Sequence, residues 1–178
     1  GTIEWLLTKP LSDSSIIVSK YLAALLLLLF ALLPTLVYYF TLRYFALPPG
    51  LDHGGIWGSY LGLFLLGSVF VSIGLYASSL TDNQVFAFIL ALFLCGFIFI
   101  GFELAYSLKP FGPMDLFVRN LGMQAHYLSM SRGVIDSRDL LYFLSIIFLS
   151  LSLTKIKLEG RKYTGFSRKP FISLLAVL

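Results

Sequence analysis

The sequence predicts an all-α, polytopic membrane helical bundle, and three observations carry that reading. Hydrophobic residues make up 58% of the 178 positions, charged residues 12%, and the mean hydropathy is +0.88; soluble domains carry about 25% charged residues. Four apolar runs, at residues 21–42, 58–80, 84–106 and about 138–154, are long enough to cross roughly 30 Å of hydrocarbon as helices, the last if it begins near Ser137. Six of the thirteen Lys and Arg (Lys155, Lys157, Arg161, Lys162, Arg168 and Lys169) follow the fourth run closely. That is the position of positive-inside charge on a membrane protein, not of a nucleic-acid-reading face.

The chain opens on an amphipathic segment, residues 1–20. Ile3, Leu6 and Leu7 share one helical face, with Glu4, Thr8 and Lys9 on other faces and Trp5 suited to an interface. Pro10 ends that first helix. Ser12 is a good N-cap for a second helix that runs through Ile16, Ile17 and Val18 into the first span. Pro34 falls inside this span and predicts a kink. Tyr38, Tyr39 and Tyr44 mark its approach to the far interface, with Arg43 just outside.

Residues 46–57 read as a loop by their prolines and glycines. Asp52 and His53 are adjacent there, but two ligands without others make a poor metal site. The second span holds Gly58, Gly62, Gly67 and Gly74. Small residues let helices approach closely in lipid, so these positions predict a packing face. The turn Thr81-Asp82-Asn83 is short and makes the second and third spans antiparallel neighbours.

Glu103 is the one acid within the third span. An ionised carboxylate costs at least about 2.5 kcal/mol at the bilayer centre, so such a residue is a candidate polar site by default. Its place near the span margin equally lets it reach water or pair with Lys109. Residues 107–137 are too long for a casual loop. After Pro110 and Pro113, the positions Met114, Phe117, Val118 and Leu121 predict a short interfacial amphipathic helix. Asp136 and Asp139 fit local capping of the fourth span, where the helix dipole favours acids.

Two distant segments in order resemble the ABC-2 type permeases, the membrane subunits of one class of ABC transporter. Residues 1–12, GTIEWLLTKPLS, are similar to the family's "GT-E-LL-T-P-(S/T)" coupling segment. Residues 131–139, SRGVIDSRD, are similar to the "SRGV-D-RD" segment before its last span. Within the family the resemblance is closest to the gliding-motility-associated permeases of Bacteroidota, through PPGLDHGGIWGSYLGL, SSLTDNQV and SRGVIDSRDLLYF. The coupling segment is shared with permeases of copper-site maturation.

The resemblance implies that residues 1–163 are the last four spans of a six-span permease in the bacterial inner membrane, with residues 1–20 and 155–170 cytoplasmic. Lys and Arg number eight on that side and five on the other, which agrees. It implies that Thr2, Glu4, Leu6, Leu7, Thr8, Pro10 and Ser12 dock a separate ATPase subunit. Ser131, Arg132, Gly133, Asp136, Arg138 and Asp139 would belong to a re-entrant helical segment on the outer side. Implied partners are the ATPase, which would hold ATP and Mg, a second permease half, like or unlike, an auxiliary gliding-motility subunit, and membrane lipid. Residues 164–178 run past the family's usual end and begin a further apolar segment, which reads as a fused neighbouring subunit or a frame error.

No GxxxxGK[ST], HExxH or GxSxG occurs. Cys95 stands alone in an apolar run and makes no disulfide framework or CxxC site. His53 and His126 share only the expected side of the membrane, which leaves a shared ion as a remote reading. An intramembrane enzyme using Glu103 or the histidines lacks a convergent nucleophile and base. A non-transporting scaffold for motility or secretion machinery is the other alternative. The spans carry no charged stripe, so a lipid-like or large extruded substrate fits as well as a small ion.

Overall fold

The structure, a computed structural model, describes residues 12–46, 50–108, 112 and 115–175, with side chains described at these positions except 115 and 162–175. The expected first helix of the coupling segment lies outside the described residues. Helix α1 (Asp13–Leu32) starts where the sequence places its cap: the Ser12 side chain accepts from the Ser15 N–H at 3.3 Å. Pro34 cannot donate to the Phe30 carbonyl. The backbone answers with a 3₁₀ turn at Leu33–Thr35 and resumes as α2 (Leu36–Phe45). Asp13–Phe45 together form the first candidate span.

Helix α3 (His53–Leu80) starts earlier than expected, so residues 53–57 are helix and not loop. The reason is Asp52, whose side chain caps the helix by accepting from the Gly55 N–H at 3.2 Å. After the 81–83 turn, Asn83 accepts from the N–H groups of Val85 and Phe86 and caps α4 (Gln84–Gly96). A π-helical turn at Phe97–Gly101, which no periodicity announced, leads into α5 (Phe102–Leu108). The short helix expected from Phe117, Val118 and Leu121 is present as α6 (Asp115–Asn120), and a second one, α7 (Met123–Ser131), follows it. The helix of the fourth span, α8 (Ser137–Leu175), does not end at residue 154: the backbone stays helical through the basic residues, which break no helical rule.

Among the described residues, four helical stretches are long and apolar enough to cross a bilayer: Asp13–Phe45, His53–Leu80, Gln84–Leu108 and Ser137–Arg161. Among the described residues there is no strand. Helix α3 is the hub, packed on α1, α4, α7 and α8. The core joins Leu66, Val69 and Ile73 of α3 to Tyr21, Met123, Met130, Phe143 and Ile147. Ser68, Ser72 and Ser79 are buried on α3 and satisfy their hydroxyls on carbonyls of their own helix, at Phe64, Val69 and Tyr76. The chain thus crosses back and forth, with residues 50–52 and 115–136 at one end and Ser12, the 81–83 turn and Arg161 at the other.

Candidate functional site

The end that holds residues 50–52 and 115–136 is closed by α7, which lies against α3 because glycines let it in. A Cβ on Gly58 would collide with the Met130 carbonyl and come within 3.0 Å of Gly133 Cα; one on Gly62 would meet Tyr127 and Met130 at 3.2–3.3 Å. Gly133 itself has φ +81°, and a Cβ there would sit 2.8 Å from the Gly54 carbonyl carbon. The SRGV turn therefore needs its glycine twice over, for its conformation and for its contact with α3. Ser131 lends its carbonyl to the Ser59 hydroxyl at 3.3 Å, its own hydroxyl donates to Leu128, and Arg132 is exposed. Gly67 faces the Leu28 side chain of α1. Gly74 makes no such contact: a Cβ there meets nothing within 4 Å, so the expected packing role is absent within the described chain.

A half-buried polar cluster fastens α7 to α8. His126 Nδ1 lies 2.6 Å from Asp139 Oδ1, and Nε2 lies 2.8 Å from the Asn120 carbonyl oxygen. Both ring nitrogens thus face oxygens, and the imidazole bridges the Asn120 carbonyl to the Asp139 carboxylate. The ring stacks on Tyr142 at 3.9 Å between centroids, and the Tyr142 hydroxyl donates to the Leu121 carbonyl. Asp139 lies in the first turn of α8, as the helix-start reading expects, but its side chain is buried and its carboxylate turns to His126. Asp136 does the capping: its carboxylate accepts from the Arg138 N–H at 3.1 Å, and its carbonyl accepts from Asp139 and Leu140. The Arg138 N–H is the main influence holding the Asp136 carboxyl below its ordinary pKa. Arg138 is exposed.

Glu103 pairs with Arg119, Nε to Oε2 at 3.4 Å, while the expected partner Lys109 lies outside the described residues. The Arg119 guanidinium also sits 5.2 Å above the Tyr106 ring. The pair ties α6 to α5 and is about one-third exposed. His53 turns instead to Tyr39, whose hydroxyl is 3.1 Å from Nδ1. Each histidine thus has its own partners, and the described residues bring together no group of three metal-ligating side chains. Sequence spacing gave no access to the His126–Asp139 or Glu103–Arg119 pairs, thirteen and sixteen residues apart. The only signal was the scarcity of charge in so apolar a chain.

At the opposite end Arg161 donates to Asp82 at 2.8 Å, joining α8 to the 81–83 turn, and Lys155 lies 3.9 Å from Glu159. Of the expected coupling residues, Ser12 is described and caps α1; Thr2, Glu4, Leu6, Leu7, Thr8 and Pro10 lie outside the described residues.

The long apolar helices and their packing define a multi-pass membrane protein. A sequence model described as ABC-2 family transporter protein matches residues 1–154, and the chain belongs to that family. It is accordingly a transmembrane transporter subunit, of a family that normally works with an ABC ATPase partner. Comparison with curated proteins and with solved structures returned no match.

Proposed function

We propose that this chain is the permease subunit that couples ATP hydrolysis on a separate ATPase to export across the bacterial inner membrane, in a gliding-motility-associated transporter. The observation that carries this reading is the family match over residues 1–154, which begins on the GTIEWLLTKPLS segment. In it, Leu6 and Leu7 seat in a cleft of the ATPase, while Glu4 and Lys9 fix orientation by charge pairing. ATP binding closes the ATPase dimer and displaces residues 1–10. The motion passes the Pro10 break, reaches α1 at its Ser12 cap, and spreads to α3 and α8, on which α1 packs. Access then alternates between two permease halves. Residues 1–20 and 155–170 lie on the cytoplasmic side. ATP and Mg stay on the partner, and this chain carries no catalytic residue.

The test is co-purification of the complete protein in mild detergent, beside a variant with Glu4, Leu6 and Leu7 changed to Ala. An ATPase subunit is expected with the parent and lost from the variant. An ATPase that stays bound to the variant would refute the docking role, and none with either would favour a non-transporting scaffold. Deletion in a gliding host tests the finer assignment, with loss of surface motility expected.

A further inference from the structure

We propose that the groove between α3 and α8 at the Arg161 end binds an anionic phospholipid. The groove has a volume of about 410 Å³ and is lined by Tyr76 and Leu80 of α3 and by Leu153, Ile156, Lys157 and Arg161 of α8. These form one stripe on each helix: Tyr76 and Leu80 are spaced i, i+4, and the α8 residues fall at i, i+3, i+4 and i+8.

The order along α8 matches the occupant. Leu153 and Ile156, 38% and 65% exposed, lie deeper in the candidate span, and Lys157 and Arg161 lie at its end. An amphiphile aligned with the bilayer therefore puts its acyl chain against leucine and isoleucine and its phosphate beside the Lys157 ammonium, with the Arg161–Asp82 pair at the rim. The Arg161 guanidinium is fixed at the rim by Asp82 at 2.8 Å, which offsets its charge and leaves it N–H donors more than net attraction, so Lys157 supplies the charge. Lys157 is exposed, one helical turn earlier. An ammonium beside an apolar wall at a span end complements a lipid phosphate in both charge and depth. Lys155 lies on another face of α8, next to Glu159, and is not part of the lining. The proposal does not depend on ATPase coupling, since it uses only the bundle and its membrane setting.

Native mass spectrometry of the complete protein, released from micelles containing phosphatidylglycerol or phosphatidylcholine, reads the site directly. The parent is expected to keep phosphatidylglycerol selectively. Lys157→Gln should weaken retention about fivefold, the effect of about one surface cation. Leu153→Trp, which fills the apolar wall and keeps the charge, should weaken it as well. Lys155→Gln removes an equal charge outside the groove and should leave retention unchanged. Equal losses for Lys155→Gln and Lys157→Gln, or no preference for phosphatidylglycerol in the parent, would reduce the effect to diffuse surface attraction and overturn the site. Displacement by millimolar glycerol phosphate would mean a free-phosphate site instead. A dimer that sheds all lipid would assign the groove to a second copy, and likewise overturn it.

Discussion

Helices α3 and α4 lie side by side as two candidate spans, and the more apolar one is the less buried. The span containing α4 has a mean hydropathy of 2.8, against 1.9 for α3. Yet α3 buries nine residues, among them Gly58, Gly62, Ser68, Ser72, Ala77 and Ser79, and α4 buries none. Among the described residues, therefore, hydropathy marks the exposed surface, and small residues mark the surface packed on neighbouring helices. The physical reason is that lipid tails are as apolar as leucine, so burying more leucine gains little, whereas close backbone approach gains dispersion contacts.

The largest expected effect lies within α3 itself. Gly58→Ala drives a methyl into the Met130 carbonyl and should cost about 3 kcal/mol or more. Gly74→Ala enters open space and should be neutral or stabilising by about 0.5 kcal/mol. Thermal unfolding of both variants in the same detergent checks the pair, and equal losses would break the contrast. Next, His126→Ala leaves the Asp139 carboxylate buried without its partner and should cost about 3 kcal/mol, read as a lower thermal midpoint. Third, Ile73→Ala on α3 should cost about 2 kcal/mol or more, while Phe88→Ala on the exposed α4 should stay within about 0.5 kcal/mol.

Smaller still is Glu103→Gln. Its pair with Arg119 is partly exposed, so a change under about 1 kcal/mol is expected, shrinking further in high salt. The smallest effect comes from Asp136. Its carboxyl titrates lower in the folded chain than in the unfolded one, so the stabilisation is present above the unfolded carboxylate range, near pH 3.9, and fades as pH falls through the folded value. Asp136→Asn should flatten that acid limb in a pH series of unfolding midpoints.

The four spans were legible because an 18-residue apolar run has few soluble explanations. The turn with Asn83 and the Gly58–Gly62 pair were legible because their signals are local. What was not legible was set by contacts between distant positions. Asp139 sits at a helix start, where acids are common, and only the fold brings His126 to it across thirteen residues. Asp52 was read as a loop residue because Gly54 and Gly55 follow it, yet the same carboxylate caps α3. The helical continuation of α8 past residue 154 was missed because charge ends a span without ending a helix.

Helix α8 joins Asp139 to Arg161 without a break, a distance of about 33 Å at 1.5 Å per residue. The first span has a joint at Pro34; this one has none. A pole of that length works as a lever: a tilt of about 5° at one end displaces the other by about 3 Å. Whatever pulls on the 81–83 turn through Arg161 is therefore felt beneath the His126 clamp on the far side of the bilayer. A displacement passed along α1 meets the Pro34 joint, whereas one passed along α8 meets none before Arg161.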